Sequence, residues 1–154
     1  MTLCRLWHQL TLRLLEFLSV PSSSPFQLPL FNNFVKDFES KLNQLRLVEI
    51  AVKVCKQIDD PNESLHFLSS LLSRLPQDKA PEATILLLSS LAHAKLIYGD
   101  LEGTKTDIDA CEKQLGEMDS VEKSVHAAFY GVAADYHKVY FILSLLISLT
   151  QASL

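Results

Sequence analysis

The chain of 154 residues is 48% hydrophobic and 21% charged, which is ordinary for a folded soluble protein of one domain. Its four glycines and six prolines argue against a β-sandwich or a disordered linker protein. The formal net charge of −4, without any basic stripe, argues against a nucleic-acid-binding surface.

The first half of the chain predicts four helices. The first covers about residues 3–19 and ends before a loop rich in proline and serine at residues 21–25. The second covers about residues 30–42, and its apolar face holds Phe31, Phe34, Val35, Phe38 and Leu42. The third covers about residues 45–58, and the fourth begins at an Asp60 cap with Pro61 in its first turn.

The second half predicts three more helices. The fifth, about residues 82–98, is apolar nearly all round, so we expect it at the centre of the stack. Gly99 stops it and Asp100 caps the sixth helix at once, which forces an antiparallel hairpin. The seventh begins near Ser120, and its expected buried positions are Val125, Phe129, Val132, Tyr136 and Val139.

Both ends of the chain are unusually apolar. Residues 139–149 form a strongly apolar run of about eleven residues, whereas a membrane-spanning helix needs about twenty. A buried helix is therefore predicted there in preference to a tail anchor. The N-terminus slightly resembles a mitochondrial transit peptide, but an ordinary first scaffold helix is favoured.

Helix pairs recur at intervals of roughly 35–40 residues, which is typical of α-solenoids. The predicted fold is therefore all-α, with antiparallel helix hairpins stacked as a degenerate tetratricopeptide-like α-solenoid of about seven helices. A closed helical bundle is the alternative.

No catalytic, cofactor-binding or metal-binding residues are predicted. The five histidines (His8, His66, His93, His126 and His137) lack the spacing of metal ligands. The segment Gly99 to Thr106 only superficially resembles a phosphate-binding loop, because its glycines are four apart and no strand precedes it. Ser124, His126 and Asp135 share one helix without an oxyanion-hole turn, so they do not predict a catalytic triad.

Two further features concern the environment of the chain. Cys55 and Cys111 lie on apolar helix faces, which predicts buried thiols in a reducing compartment. Residues 100–119 carry seven acidic residues and two lysines, a local net charge of −5. This segment is interpreted as a solvated helix face, and the alternative is a docking face for a basic partner.

Several blocks of sequence together resemble a known family. They are Leu6-Trp7-His8-Gln9-Leu10, Asn33-Phe34-Val35 with Asp37-Phe38-Glu39, Leu47-Val48-Glu49-Ile50, Asp60-Pro61-Asn62, Tyr98-Gly99-Asp100-Leu101 and Tyr136-His137-Lys138. In this order and spacing they resemble the N-terminal helical region of the non-ATPase regulatory subunit 13 family of proteasome lid subunits. The resemblance covers about residues 6–138.

The resemblance implies a non-catalytic scaffold of the 19S regulatory particle lid, acting in ubiquitin-dependent protein degradation in the cytoplasm and nucleus. Its implied partners are other lid subunits and neighbouring regulatory-particle subunits, with no nucleic acid, no membrane and no cofactor.

The expected division of the chain is a solenoid at residues 1–140 and a divergent apolar tail at residues 141–154. The family's C-terminal PCI domain has no counterpart, so a truncated form is expected. It should lack most of the lid-assembly contacts. Two alternatives remain: a generic helical-repeat adaptor, and an organelle- or membrane-associated helical protein.

Overall fold

A computed structural model describes residues 2–153, and all regular structure in this range is helical. The α-helices are α1 (Thr2–Leu18), α2 (Ser24–Asn33), α3 (Gln44–Cys55), α4 (Pro61–Arg74), α5 (Pro81–Tyr98), α6 (Leu101–Gly116) and α7 (Lys123–Ala152). Short 3₁₀ segments lie at Pro21–Ser23, Val35–Lys41 and Gln77–Lys79. The predicted all-α fold with about seven helices is therefore confirmed.

Helix α5 lies at the centre of the packed body, as predicted. It contacts α3, α4, α6 and α7, so almost every direction around its axis faces another helix. Ile85, Leu87 and Ala92 are completely buried, and Leu86 and Leu91 nearly so. A helix without a polar face is stable in water only when neighbours cover it in this way.

The turn between α5 and α6 forms as the sequence predicts. Gly99 has φ +94°, and the N–H groups of Gly99 and Asp100 donate to the carbonyls of Leu96 and Lys95 at 3.1 and 2.9 Å. This is the Schellman arrangement that ends many helices. The Asp100 carboxylate then accepts the N–H of Gly103 at 2.9 Å and caps α6. Two adjacent residues therefore end one helix and begin the next.

The predicted start of α4 is also observed. Asp60 Oδ1 accepts the N–H of Asn62 at 2.9 Å, and Pro61 is the first helical residue. Proline is suited to this position because the first turn of a helix needs no N–H donor for the helical ladder.

The prediction for residues 21–42 is wrong in its boundaries. Helix α2 already begins at Ser24, and the region predicted as the second helix is divided at Phe34, where φ is −133°, before the 3₁₀ segment. Pro25 occupies the first turn, so the proline that suggested a loop instead starts a helix. Phe31, Val35 and Leu42 are buried as expected, whereas Phe34 is exposed.

The C-terminal half of α7 departs most from the sequence-based expectation. The helix begins at Lys123, slightly later than predicted, and Val125, Phe129, Val132 and Tyr136 are buried as expected. Val139 is 36% exposed, and residues 137–153 are all exposed, so the prediction of a buried helix at residues 139–149 is wrong. With 30 residues α7 is about 45 Å long, against about 27 Å for the 18-residue α5. Helix α7 therefore extends beyond the neighbours that cover its first half.

We predict that Gly99→Ala lowers the free energy of unfolding by about 1 kcal/mol, because a Cβ is strained at φ +94°. Gly116→Ala is the matched control, since Gly116 lies at the end of α6 and a Cβ there meets no atom within 4 Å. That change should leave stability unchanged or raise it by up to about 1 kcal/mol. Urea denaturation followed by circular dichroism measures both. Equal effects of the two substitutions would contradict the left-handed turn.

We also predict that Leu87→Ala lowers the free energy of unfolding by about 2–5 kcal/mol, because it opens a cavity at the most enclosed helix. Leu6→Ala makes the same chemical change on the exposed side of α1 and should change stability by less than about 0.5 kcal/mol. Similar losses in the two variants, measured by the same denaturation, would contradict the central position of α5.

Candidate interaction surfaces

The residues that could have suggested catalysis do not form a catalytic arrangement. Ser124 Oγ donates a hydrogen bond to Glu122 Oε1 at 3.1 Å. The His126 ring stacks on Tyr130 with centroids 5.8 Å apart. Asp135 forms an exposed ion pair with Lys138, at 3.2 Å. Each of the three side chains therefore has a different partner, although all lie on α7.

The segment that superficially resembles a phosphate-binding loop is a helix boundary. Gly99 supplies the left-handed stop of α5, and Asp100 places a carboxylate over the first turn of α6. A carboxylate at that position occupies the amide that an anion would need. The segment therefore serves the α5–α6 hairpin.

The histidine, cysteine and acidic side chains are dispersed over the helices. Within residues 2–153, no group of three or more of them is placed to hold a metal ion.

The three cysteines differ in exposure. Cys4 is exposed, Cys55 is half-buried and Cys111 is fully buried, and all three are free thiols. Burial raises the pKa of the Cys111 thiol to about 11, and burial also raises the pKa of Cys55. The Cys111 prediction is thus confirmed, whereas Cys55 is only half-buried. Neither thiol is activated as a nucleophile, because the thiolate form is disfavoured.

The acidic segment contains one buried carboxylate. Lys95 Nζ on α5 lies 2.7 Å from Asp107 Oδ2 on α6, with the two side chains 26% and 11% exposed. Burial raises the pKa of Asp107, and the hydrogen bond and charge of Lys95 partly offset this effect. Asp107 thus joins the two helices of the hairpin. The other acids of residues 100–119 are exposed, and they are Asp100, Glu102, Asp109, Glu112, Glu117 and Asp119.

A second set of polar contacts fixes the start of α7. The Arg46 guanidinium on α3 donates to Glu49 at 2.6 Å and to Glu122 at 3.2 Å. The backbone N–H of Glu122 in turn donates to Glu82 on α5 at 2.7 Å. Glu122 therefore connects three helices at the point where α7 begins, which sets the direction in which α7 leaves the body.

An open apolar groove runs beside α7, with a volume of about 520 Å³. One wall comes from α3 and the start of α4, the floor comes from α5, and the other wall comes from α7. The α7 wall is lined by the small residues Ala127, Ala128 and Gly131, and by Val132 and Asp135. We call this surface the α7 groove. No local sequence pattern predicts the α7 groove, because its walls come from distant parts of the chain.

The second apolar surface is the exposed part of α7 at residues 139–149, which we call the α7 extension. Nine large apolar side chains of this segment are 36–67% exposed. The sequence carries no charged residue after Lys138. A contiguous apolar surface of this kind usually marks an interaction site.

Helix α7 is long and apolar enough to cross a membrane by length and composition, with a mean hydropathy of 1.3 over 18 residues. Only 11% of that window is buried, so it lies mainly in the exposed half of α7.

Comparison with known proteins identifies the packed part of the chain. The family model described as PSD13 N-terminal repeats matches residues 3–141. The chain is 33% identical over 134 residues to the probable 26S proteasome regulatory subunit rpn9 of Schizosaccharomyces pombe, covering 87% of this chain and 35% of that protein.

Two more relatives have similar coverage. The 26S proteasome non-ATPase regulatory subunit 13 homolog A of Arabidopsis thaliana is 35% identical over 139 residues, covering 87% of this chain and 36% of that protein. The 26S proteasome regulatory subunit RPN9 of Saccharomyces cerevisiae is 29% identical over 145 residues, covering 87% of this chain and 37% of that protein. The chain spans about a third of the length of these relatives.

The Lys95–Asp107 pair yields a pH-dependent prediction. Lys95→Met should lower the free energy of unfolding by about 1–3 kcal/mol at about pH 7, because it leaves the Asp107 carboxylate without its partner. Without Lys95 the folded-state pKa of Asp107 rises further above its unfolded value. The loss is therefore largest where Asp107 is ionised and decreases as the pH falls through that pKa.

Urea denaturation at about pH 7 and about pH 4 measures this difference, relative to the unmodified chain at each pH. Arg13→Met is the control, because the Arg13–Glu16 pair is exposed and should contribute less than about 1 kcal/mol. A loss in Lys95→Met that does not change with pH would show that the charge on Asp107 is not involved.

Proposed function

Because the chain belongs to the family of PSD13 N-terminal repeats, we propose that it is a non-catalytic scaffold of the proteasome regulatory-particle lid. It would act in ubiquitin-dependent protein degradation by contacting other proteins. The observation that carries the proposal is the extent of the family match. Residues 3–141 include every buried apolar residue of the described body, from Leu14 to Tyr136.

The arrangement of side chains supports a scaffold without catalysis. Polar groups enclosed in the body have partners within it: Asp107 pairs with Lys95, Gln27 donates to the carbonyl of Leu18, and Ser89 donates to the carbonyl of Ile85. Side chains used in this way are not available to a substrate. The surfaces that stay open are a charged helix face, an apolar groove and an apolar helix.

The proposed partners are other lid subunits and neighbouring regulatory-particle subunits. The names of the relatives describe proteasome regulatory subunits, which supports this choice. The exposed acids of α6 are the proposed contact for a basic surface on one partner, because Asp109 and Glu112 lie on the outer side of the hairpin and are exposed.

The proposed location is the cytoplasm and nucleus, where such a complex would work. The thiols agree with a reducing compartment, because Cys4, Cys55 and Cys111 are all free. We further propose that residues 1–140 form the scaffold body and residues 141–154 a separate tail. The family match ends at residue 141, and Tyr136 is the last buried residue in the part of the chain that the structure describes.

The proposal predicts that lid subunits co-purify with the tagged chain. The chain would be expressed at low level in cultured cells, recovered through its tag and analysed by quantitative mass spectrometry. A full-length relative is the positive control, and we expect lower recovery with this chain because it spans only about a third of that length. Failure to enrich any lid subunit over an untagged control would contradict the proposal.

A paired charge reversal tests the proposed contact. Asp109→Lys with Glu112→Lys on α6 should reduce the recovery of lid subunits by roughly fivefold or more, because it inverts the charge that faces a basic partner. Asp37→Lys with Glu63→Lys makes the same change in net charge at exposed positions outside α6 and should leave recovery unchanged. Equal losses of lid-subunit recovery in the two double variants would contradict a contact through the acids of α6.

A further inference from the structure

We propose that two copies of this chain associate through α7, with the α7 extension of each copy lying in the α7 groove of the other. The two α7 helices would then run antiparallel across a two-fold axis. This contact is independent of the proposed lid contacts, because it uses α7 and the groove and not α6.

The α7 extension has more exposed apolar surface than an isolated chain normally carries. Its nine large apolar side chains, 36–67% exposed, together present on the order of 1,000 Å², whereas the largest apolar patch of a monomer is about 300–600 Å². A stable interface takes about 800 Å² from each partner. The area is therefore sufficient for a dimer.

The distribution of these side chains also matters. Apolar residues occupy consecutive positions from Val139 to Leu143, and steps of about 100° per residue place them in every direction around the helix. Contact with one flat surface would leave half of them in water. A binding surface that covers the α7 extension must therefore enclose the helix on several sides.

The α7 groove meets this requirement. Its walls are formed by α3 with α4 on one side and α7 on the other, and its floor is formed by α5. A helix placed in it contacts protein on three sides, in the manner of helix-in-groove recognition. On the α7 wall Ala127, Ala128 and Gly131 are small, so a helix with large side chains can approach closely. A Cβ added to Gly131 meets no atom within 4 Å, which confirms that the space is open.

The positions of the two surfaces along α7 fix the register. The groove-lining residues of α7 fall within 127–135, and the α7 extension ends at Leu149. A two-fold axis beside Lys138 pairs residues 127–135 of one copy with residues 141–149 of the other. Both segments have nine residues and are about 13.5 Å long. Each copy presents the same two surfaces, so the interface closes on itself.

The charges in this arrangement are compatible with association. The charged side chains that line the groove are Lys56, Asp59 and Asp135. The helix that enters it brings no further charge, because no charged side chain follows Lys138. Beside the axis, Asp135 and Lys138 are exposed and lie 3.2 Å apart. In the paired helices each Lys138 also comes near the partner's Asp135, which offsets the repulsion between the two lysines.

A lipid bilayer would also surround the α7 extension on all sides. The described residues after Lys138 are fewer than the roughly twenty that a membrane-spanning helix needs, and the 18-residue window of α7 that is apolar enough to span is 11% buried, so it includes part of the packed half of the helix. A membrane span would therefore use residues of the packed body, whereas the groove receives the extension alone. The observations therefore favour a second copy, and lipid becomes an outcome of the test.

Light scattering after size-exclusion chromatography tests the proposal on the purified full chain. We expect a mass twice the 17.3 kDa of one chain. Gly131→Trp should fill the groove with a large side chain. Leu145→Glu should place a negative charge on the helix that enters the groove. Each should raise the dimer Kd by at least about tenfold, so that the mass falls to that of one chain. Circular dichroism checks that both variants keep their helices.

The chain provides a matched control for each variant. Gly116→Trp adds the same side chain where a Cβ also meets no atom within 4 Å, but at the end of α6. Leu12→Glu changes a leucine of α1 that is 43% exposed, close to the 48% of Leu145. Both controls should remain dimeric.

Disulfide cross-linking tests the register. In a background with Cys4→Ser and Cys55→Ser, which removes the exposed thiol and the thiol that lines the groove, Gly131→Cys combined with Leu145→Cys should give a covalent dimer under mild oxidation. The axis beside Lys138 places the two positions opposite each other. Gly131→Cys combined with Leu149→Cys is displaced by about 6 Å along the helix and should cross-link far less.

Three results would overturn the proposal. The first is a mass of one chain at every concentration. The second is a dimer that neither Gly131→Trp nor Leu145→Glu weakens. The third is flotation of the monomeric chain with phosphatidylcholine vesicles, abolished by Leu145→Glu, which would identify lipid as the occupant. None of these results depends on recovery of lid subunits, so failure here is separable from failure of the proposed function.

Discussion

The enclosure of α5 by four other helices is the constraint on which the rest of the structure depends. Ile85 and Leu87 are completely buried, and the contacts of α5 extend to α3, α4, α6 and α7. A helix with no polar face cannot be stable alone, so these neighbours must be held in place around it. The Schellman turn at Gly99 holds α6, and Glu122 connects the start of α7 to Arg46 on α3 and Glu82 on α5. The polar contacts thus orient helices that hydrophobic burial brings together.

Much of this arrangement is predictable from local sequence. Asp60-Pro61 and Gly99-Asp100 are stop and start signals whose chemistry acts within one turn, and both operate as expected. The apolar composition of α5 is enough to predict its central place. Local signals fail at residues 21–42, because Pro25 is compatible with both a loop and a first helical turn.

The surfaces are less predictable than the core. The α7 groove requires α3, α4, α5 and α7 to meet, and the Lys95–Asp107 pair joins two helices whose side chains must face each other. Neither relation is encoded within one helical segment. The exposure of residues 139–149 has the same origin: composition shows that the segment is apolar, but only the lengths of its neighbours decide whether it is covered. Family resemblance identifies the body, and it gives no information on these open surfaces.

The function proposed for this chain depends on surfaces that a rigid core presents in fixed positions. Hydrogen exchange followed by mass spectrometry tests that core most directly. Amides of α5 between Ala83 and Ala92 are predicted to exchange only through global unfolding, because most of the side chains in this segment are buried against four other helices. Amides of the first turns of α1, whose side chains are exposed, are predicted to exchange much faster. Exchange of the α5 amides at the rate of those in α1 would contradict the account.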